Sequence, residues 1–190
     1  KDYGAMKRAI RIQLTDEHTT LATRVTFYDS SYALHPMQLM TIVGYARCRT
    51  RPGEPGGLVY DFRSMALGAM QWYLDSPTPT NDGQPWTEEE RKAIAREVRT
   101  YKTRLRPLIR QADLYHILPR PDNRNWDGIQ YYDPVAGKGV VFVFKPDSGE
   151  DTKKFKLRGV DPKARYTVTF EDKSNPDAVM AGAALLEDGL

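Results

Sequence analysis

The sequence predicts an α/β half followed by an all-β half, with the change near residue 107. Residues 1–106 alternate apolar, strand-like stretches with segments of helical periodicity, the order that gives parallel strands joined by crossovers. Residues 107–190 contain short strand-like stretches separated by turn residues, which is typical of an antiparallel sandwich. Three parallel strands make neither a closed barrel nor a covered open sheet, so we expect the chain to be the C-terminal part of a larger protein.

Before residue 86, the first half contains three predicted strands and two predicted helices. The first strand alternates apolar and polar side chains, and the second is an almost wholly apolar run typical of a buried strand. The helix that begins near Leu21 is interrupted by Pro36, which has no backbone N–H to donate. The predicted strands cover 9–14, 39–45 and 70–75, and the second helix covers 60–69.

The clearest local pattern is a helix from about Trp86 to Arg106. Thr87 is a candidate N-cap, and Glu90 three residues later completes a capping box. An apolar stripe follows at helical spacing, and Pro107 is expected to end the helix. The stripe consists of Ile94, Val98, Tyr101 and Leu105.

Five strands are predicted in the second half, and Pro, Gly and Asp cluster between them. The predicted ranges are 114–118, 128–132, 139–144, 154–157 and 166–170.

Composition narrows the class of protein. The chain has 190 residues, of which 40% are hydrophobic and 28% charged, an ordinary globular composition. No apolar run has the roughly 18 residues that a membrane helix needs, so we expect no membrane partner and see no signal peptide. The net charge of +3 is too small to indicate nucleic acid, and the lone Cys48 allows neither an intrachain disulfide nor a cysteine-built zinc site.

Four stretches resemble, in the right order, motifs of family 36 glycoside hydrolases, the large microbial alpha-galactosidases. Asp16–Val25 takes the place of Ser-Asp-Asp-Thr-Asp-Ala-Ile-Glu-Arg-Leu, and Ser30–Pro36 that of Thr-Ser-Tyr-Phe-Tyr-Pro. Asp61–Asp75 is similar to Thr-Arg-Phe-x-x-Ala-Leu-x-Gly-x-Leu-Gly-Tyr-Glu-Leu-Asp, and Thr87–Arg106 to the helix that follows it. Further likenesses to the family's C-terminal sandwich occur at 113–115, 126–131, 157–162 and 183–190.

The resemblance implies that residues 1–106 are the last strands and helices of a catalytic (β/α)8 barrel. Residues 107–190 would then form the following antiparallel β-sandwich, cut short at its end. The nucleophile, an aspartate on an earlier strand, would lie outside this chain. The chain alone would therefore be inactive and would need the missing N-terminal barrel portion, an oligosaccharide or other glycoside as substrate, and no cofactor. A homo-oligomer is also implied.

Asp16 is the candidate acid/base of this glycosidase. Functional side chains of such barrels follow the carboxyl ends of the strands, where the resemblance also puts Asp16. The alternative is that Asp16 caps the following helix, since aspartate often accepts a backbone N–H there. Thr15-Asp16-Glu17 departs from Ser-Asp-Asp, so Glu17 is a competing acid/base.

Three further residues are candidate substrate contacts, each with a structural alternative. His18 is equally well explained as a surface residue at a helix start, and Arg24 as an exposed or ion-paired helix residue. Trp72 ends the last barrel strand, where it would stack on a sugar ring or pack in the core. Three scattered histidines without spaced carboxylate partners give no support for a metal site.

Two other functions compete with part of a glycosidase. One is a non-catalytic carbohydrate-binding or subunit-contact module built on the sandwich. The other is a nucleic-acid binder that uses the arginine-rich loop from Arg47 to Arg51, for which the net charge gives little support.

Overall fold

The structure is a computed structural model that describes residues 12–13, 19–43, 57–72, 87–145 and 150–190. Its first half is built on a parallel sheet of three strands in the order β1-β2-β3. Gln13 pairs with Met40, and Met40 pairs with Ala69, so the strands are in register. The predicted parallel arrangement is therefore confirmed. The strands are β1 (Ile12–Gln13), β2 (Leu39–Val43) and β3 (Ala69–Trp72).

Two helices connect these strands. Helix α1 (Thr20–Ser30) begins at Thr19, whose hydroxyl accepts a hydrogen bond from the backbone N–H of Ala22. A 3-10 turn at Pro36–Gln38 then leads into β2, in agreement with the helix ending before Pro36. Helix α2 (Leu58–Met65) leads into β3.

Gly68 lets the chain pass between β2 and α1 at the start of β3. A methyl group on its Cα would lie 2.5 Å from the backbone oxygen of Leu39 and 3.0 Å from the Phe27 ring. Backbone cannot move aside cheaply, so this position requires the absence of a side chain.

The long helix has the predicted start but not the predicted end. Helix α3 (Glu88–Thr100) carries the capping box, in which Thr87 and Glu90 each accept from the other's backbone N–H. The prediction that Pro107 ends the helix is wrong, because a wide π-helical segment follows and helix α4 continues to Gln111. In the π segment the N–H of Arg106 bonds to Tyr101, five residues back. Pro107 falls in the first turn of α4, where its missing N–H is tolerated. The π segment is Tyr101–Leu105 and α4 is Arg106–Gln111.

The second half contains two antiparallel sheets. One has the order β4-β5-β6, and the other pairs β7 with β8. Residues 154–157 are not a strand, although the N–H groups of Phe155 and Leu157 bond to the C-terminal segment. Strand β8 and a short helix α5 after it were not predicted from the sequence. The strands are β4 (Asp113–His116), β5 (Asp127–Asp133), β6 (Lys138–Phe144), β7 (Arg165–Val168) and β8 (Ala178–Ala181), and α5 is Gly182–Glu187.

The two halves share one hydrophobic core. Phe27 and Leu39 of the first half belong to the same buried cluster as Tyr131 and Phe142 of the second. A smaller cluster joins β5 to the C-terminal segment through Tyr132, Leu157, Val160 and Leu185. Because the main core crosses the predicted boundary at residue 107, the antiparallel half stabilises the parallel sheet directly.

Two buried tyrosine hydroxyls hold the backbone that enters β3. The Tyr101 hydroxyl donates to the Gly68 carbonyl and accepts from the Met70 N–H, both at 2.9 Å. The Tyr131 hydroxyl donates to the Leu67 carbonyl at 2.7 Å. These bonds fix the start of β3 from outside its own sheet, since buried backbone groups need partners.

We expect Tyr101→Phe to destabilise the chain more than Tyr131→Phe. The first substitution removes the partner of two backbone groups and the second that of one, and each buried group left unpaired costs about 1–3 kcal/mol. Urea unfolding of both variants checks this. Equal losses would contradict the bridging role of the Tyr101 hydroxyl.

Candidate functional site

The carboxyl ends of the three parallel strands lie at one edge of the sheet. Val43 of β2 pairs with Trp72 of β3, so these two strands end side by side. Gln13, the last residue of β1, pairs with Met40, three residues before Val43. In α/β barrels this edge carries the catalytic residues.

The predicted acid/base candidates come after β1 in the sequence. Asp16, Glu17 and His18 lie outside the described residues, between Gln13 and Thr19. The N-cap of α1 is Thr19. Helix α1 is therefore capped by Thr19 and not by Asp16, which was the alternative role for Asp16.

Trp72 is the last described residue of β3. Its backbone pairs with Val43 at the carboxyl edge, whereas its side chain is outside the described part of the structure. A sugar-stacking role for Trp72 stays a prediction.

Arg24 lies in the middle of α1 and is buried, with 2% of its surface exposed. Its Nε donates to both carboxylate oxygens of Asp127 on β5, at 3.1 and 3.3 Å. Its Nη1 donates to the Ser64 hydroxyl of α2 at 3.0 Å. These contacts are those of the ion-paired alternative, and a contact of Arg24 with substrate stays a prediction.

Aromatic rings enclose the buried guanidinium. Its Cζ lies 4.7 Å from the centre of the Phe144 ring and 5.6 Å from that of Tyr60. Arg24 thus combines an ion pair with cation–π contacts in a site closed to water. It joins α1, α2 and two strands of the antiparallel sheet.

Asp127 is the carboxylate that balances this charge. Burial raises its pKa to about 6, against the opposing effect of Arg24, which lowers it. The Nε–H of Arg24 is shared between the two carboxylate oxygens, and a pKa of about 6 leaves Asp127 ionised at neutral pH. Asp127 was not among the candidate site residues predicted from the sequence.

The described residues bring together no group of three or more His, Cys, Asp and Glu side chains placed to hold a metal ion. Within the same part of the chain, no helix has both the length and the apolar character needed to cross a membrane.

Comparison with known proteins shows what this arrangement is similar to. The alpha-galactosidases AgaA and AgaB of Geobacillus stearothermophilus, both GH36 enzymes, superpose on 93% of the chain with TM-scores of 0.74 and 0.73, each at 18% identity. The alpha-galactosidase of Lactobacillus brevis superposes on 93% of the chain with a TM-score of 0.69, at 14% identity. The chain has the fold of part of a GH36 alpha-galactosidase.

Sequence comparison also finds an alpha-galactosidase. The probable alpha-galactosidase C of Aspergillus flavus is 27% identical over 105 residues, which is 54% of this chain and 13% of that protein. No protein-family model matches the chain. The resemblance to the GH36 alpha-galactosidases inferred from the sequence is thus confirmed for the fold.

The chain is much shorter than these relatives. It spans 23% of the length of AgaA and 22% of that of AgaB. The GH36 fold therefore extends well beyond the segment that this chain matches.

We expect Arg24→Leu to destabilise the GH36-like chain by about 3–5 kcal/mol, since it leaves the Asp127 carboxylate buried without its partner. The double variant with Asp127→Leu should lose less than the two single losses added together, because no charge is left unpaired. Arg104→Leu is the matched control, as its ion pair with Glu171 is exposed and should contribute much less. Urea unfolding measures all four variants, and an additive double variant would contradict the energetic coupling of Arg24 and Asp127.

The raised pKa of Asp127 predicts an opposite pH dependence to that of most carboxylates. Its folded pKa of about 6 lies above the unfolded value near 3.9. Its stabilising contribution is therefore complete below about pH 4 and is lost as the pH rises through 6. Relative to Asp127→Asn, the chain should lose on the order of 2–3 kcal/mol of unfolding free energy over that range.

Carboxyl-carbon NMR titration tests this pKa directly. A midpoint near 6 is expected, and Arg24→Leu should move the midpoint higher because Arg24 lowers the pKa. A midpoint below 4 in the unsubstituted chain would show that pairing with Arg24 outweighs burial.

Proposed function

We propose that this chain is the C-terminal part of a retaining glycoside hydrolase that acts on alpha-galactosides or related alpha-glycosides. Residues 1–106 would supply the last strands and helices of the catalytic (β/α)8 barrel, and residues 107–190 the β-sandwich that follows. The observation that carries this proposal is the match of 93% of the chain to GH36 alpha-galactosidases.

Asp16 is proposed as the acid/base, with Glu17 as the competing candidate. Support comes from the chain order, since Asp16 and Glu17 come three and four residues after Gln13, the last residue of β1. Trp72 is the last residue of β3, whose carboxyl end lies at the same edge of the sheet. We propose that its side chain stacks on a sugar ring. His18 remains a further proposed substrate contact, whereas the burial of Arg24 and its pairing with Asp127 support the ion-paired alternative for that residue.

The chemistry divides between this chain and the missing barrel portion. A retaining glycosidase needs a nucleophilic carboxylate and an acid about 5–5.5 Å apart. Asp16 would protonate the leaving oxygen while the nucleophile attacks the anomeric carbon, and would then take a proton from the incoming water. The nucleophile would come from an earlier strand, which is in keeping with a chain that spans 23% of AgaA.

The substrate class is proposed from the relatives. AgaA variants were solved in complex with raffinose and with stachyose. Both ligands are oligosaccharides that end in an alpha-galactosyl residue, so this class is the first to test. The alternative function, a non-catalytic carbohydrate-binding or subunit-contact module, predicts no hydrolysis in any assembly.

The test is an activity assay of this chain assembled with the missing barrel portion. We expect Asp16→Asn to lower the hydrolysis rate of raffinose by about 10²–10⁴-fold, the usual contribution of a general acid. An aryl alpha-galactoside with a strongly acidic phenol as leaving group departs without being protonated. For this substrate, Asp16→Asn should therefore slow formation of the glycosyl-enzyme intermediate far less. Added azide should restore turnover by replacing the base-activated water.

Glu17→Gln is the matched control and should leave both substrates within a few-fold of the unsubstituted rate. If Glu17→Gln shows the leaving-group dependence and the azide rescue instead, the acid/base is one residue later. If the assembly hydrolyses neither substrate, the glycosidase proposal fails.

A further inference from the structure

An exposed aromatic ring stands where α1 meets the antiparallel half. Tyr32 follows the C-terminal end of α1 and is 68% exposed. Since β1 and β2 are parallel, α1 leads the chain back from the carboxyl edge towards the amino edge. With 11 residues, α1 separates its two ends by about 16 Å, so Tyr32 lies at the amino edge of the sheet.

The Tyr32 ring is held in a defined orientation. It stacks on the imidazole of His116 from β4, with the ring centres 4.2 Å apart and the planes 17° from parallel. Tyr28 contacts the same imidazole, with the ring centres 4.3 Å apart. One face of Tyr32 is thus covered by His116, and its high exposure leaves the other face to solvent.

A serine fixes the imidazole in turn. The Ser31 hydroxyl donates to the Tyr28 carbonyl at 2.8 Å and lies 2.8 Å from Nε2 of His116. Because that hydroxyl has one proton, Nε2 donates to Ser31 in this network. The stacked pair is therefore ordered before any ligand arrives, which lowers the entropy cost of binding.

Polar groups come from the same two segments of the chain as the exposed ring and the imidazole beneath it. The hydroxyls of Tyr32 and Tyr28 lie 3.3 Å apart. Arg120 donates two hydrogen bonds to Asp29, both at 2.7 Å, and both side chains are about half exposed. Asp29 directly follows Tyr28 in α1 and Arg120 lies four residues after His116, so this ion pair joins the same two segments of the chain as the stacked rings.

We propose that Tyr32, Tyr28, Asp29 and Arg120 form a binding site for one glycosyl residue of an oligosaccharide. A pyranose presents a face of C–H groups to a flat aromatic ring and hydroxyl groups around its rim. The carboxylate accepts from such hydroxyls, the guanidinium donates to them and the phenols do both. This inference does not depend on the proposed hydrolysis, because none of the four residues belongs to the carboxyl edge.

The size of the exposed aromatic surface favours a sugar over a protein partner. Protein interfaces have a contiguous apolar centre with several aromatic anchors. Among the described residues, the other exposed large hydrophobic side chains are Val135 and Val179, which belong to the β5–β6 turn and to β8. Tyr32 is therefore a single ring among polar groups, which suits one monosaccharide unit.

Titration of the full 190-residue chain with raffinose, followed by amide chemical shifts, tests the site. We expect millimolar binding with chemical-shift changes at residues 28–33 and 114–120. Tyr32→Ala should weaken binding at least about tenfold by removing the ring. Tyr32→Phe should stay within about threefold, because it keeps the stacking face and loses one hydroxyl.

Matched variants separate this site from the proposed carboxyl edge. Val135→Ala shortens another exposed apolar side chain, on a distant turn, and should not change binding. Asp16→Asn should also leave the shifts at 28–33 intact, whatever it does to hydrolysis. The proposal is overturned if raffinose causes no shifts in this region, or if Tyr32→Ala keeps them. It is equally overturned if Tyr32→Ala changes only sedimentation, which would make Tyr32 a contact between two copies of the chain.

Discussion

The buried charge of Arg24 is the constraint on which the relation between the two halves depends. A guanidinium that is 2% exposed must find its partners inside the protein, since an unpaired buried charge is severely destabilising. Its carboxylate comes from β5, 103 positions further along the chain. Helix α1 therefore reaches a fully satisfied state only when the antiparallel sheet is docked against it.

Strand β3 is also held by side chains from outside the parallel sheet. The hydroxyl of Tyr131 on β5 holds the Leu67 carbonyl, and the neighbouring Tyr101 holds Gly68 and Met70. The antiparallel half and the long helix thus secure the amino end of the last parallel strand. These stabilising contacts lie at the amino end of the strand. In barrel enzymes, too, residues at the amino ends of the strands serve stability, whereas the active site lies at the carboxyl ends.

Local patterns could be predicted from the sequence, whereas distant pairings could not. The capping box of α3 depends on Thr87 and Glu90, three residues apart, so its chemistry is visible in the sequence alone. Pro107 shows the limit, because a proline ends a regular helix but is accommodated when a π segment places it in a new first turn. The partner of Arg24 depends on how two halves of the chain pack, and no periodicity encodes that distance.

The candidate site shows the same division. The order of strands and the resemblance to GH36 alpha-galactosidases direct attention to Asp16, yet the contact of Tyr32 with His116 joins residues 84 positions apart in the sequence and appears only in the folded chain.

Helix α1 connects both regions. Its Thr19 cap follows the acid/base candidates, Arg24 anchors its middle, and Tyr32 follows its C-terminal end. Described residues lie on both sides of positions 14–18, where Gln13 pairs with Met40 and the Thr19 hydroxyl caps α1. The proposed role of Asp16 depends on these flanking contacts, since an acid/base acts only when its distance to the reacting oxygen is maintained.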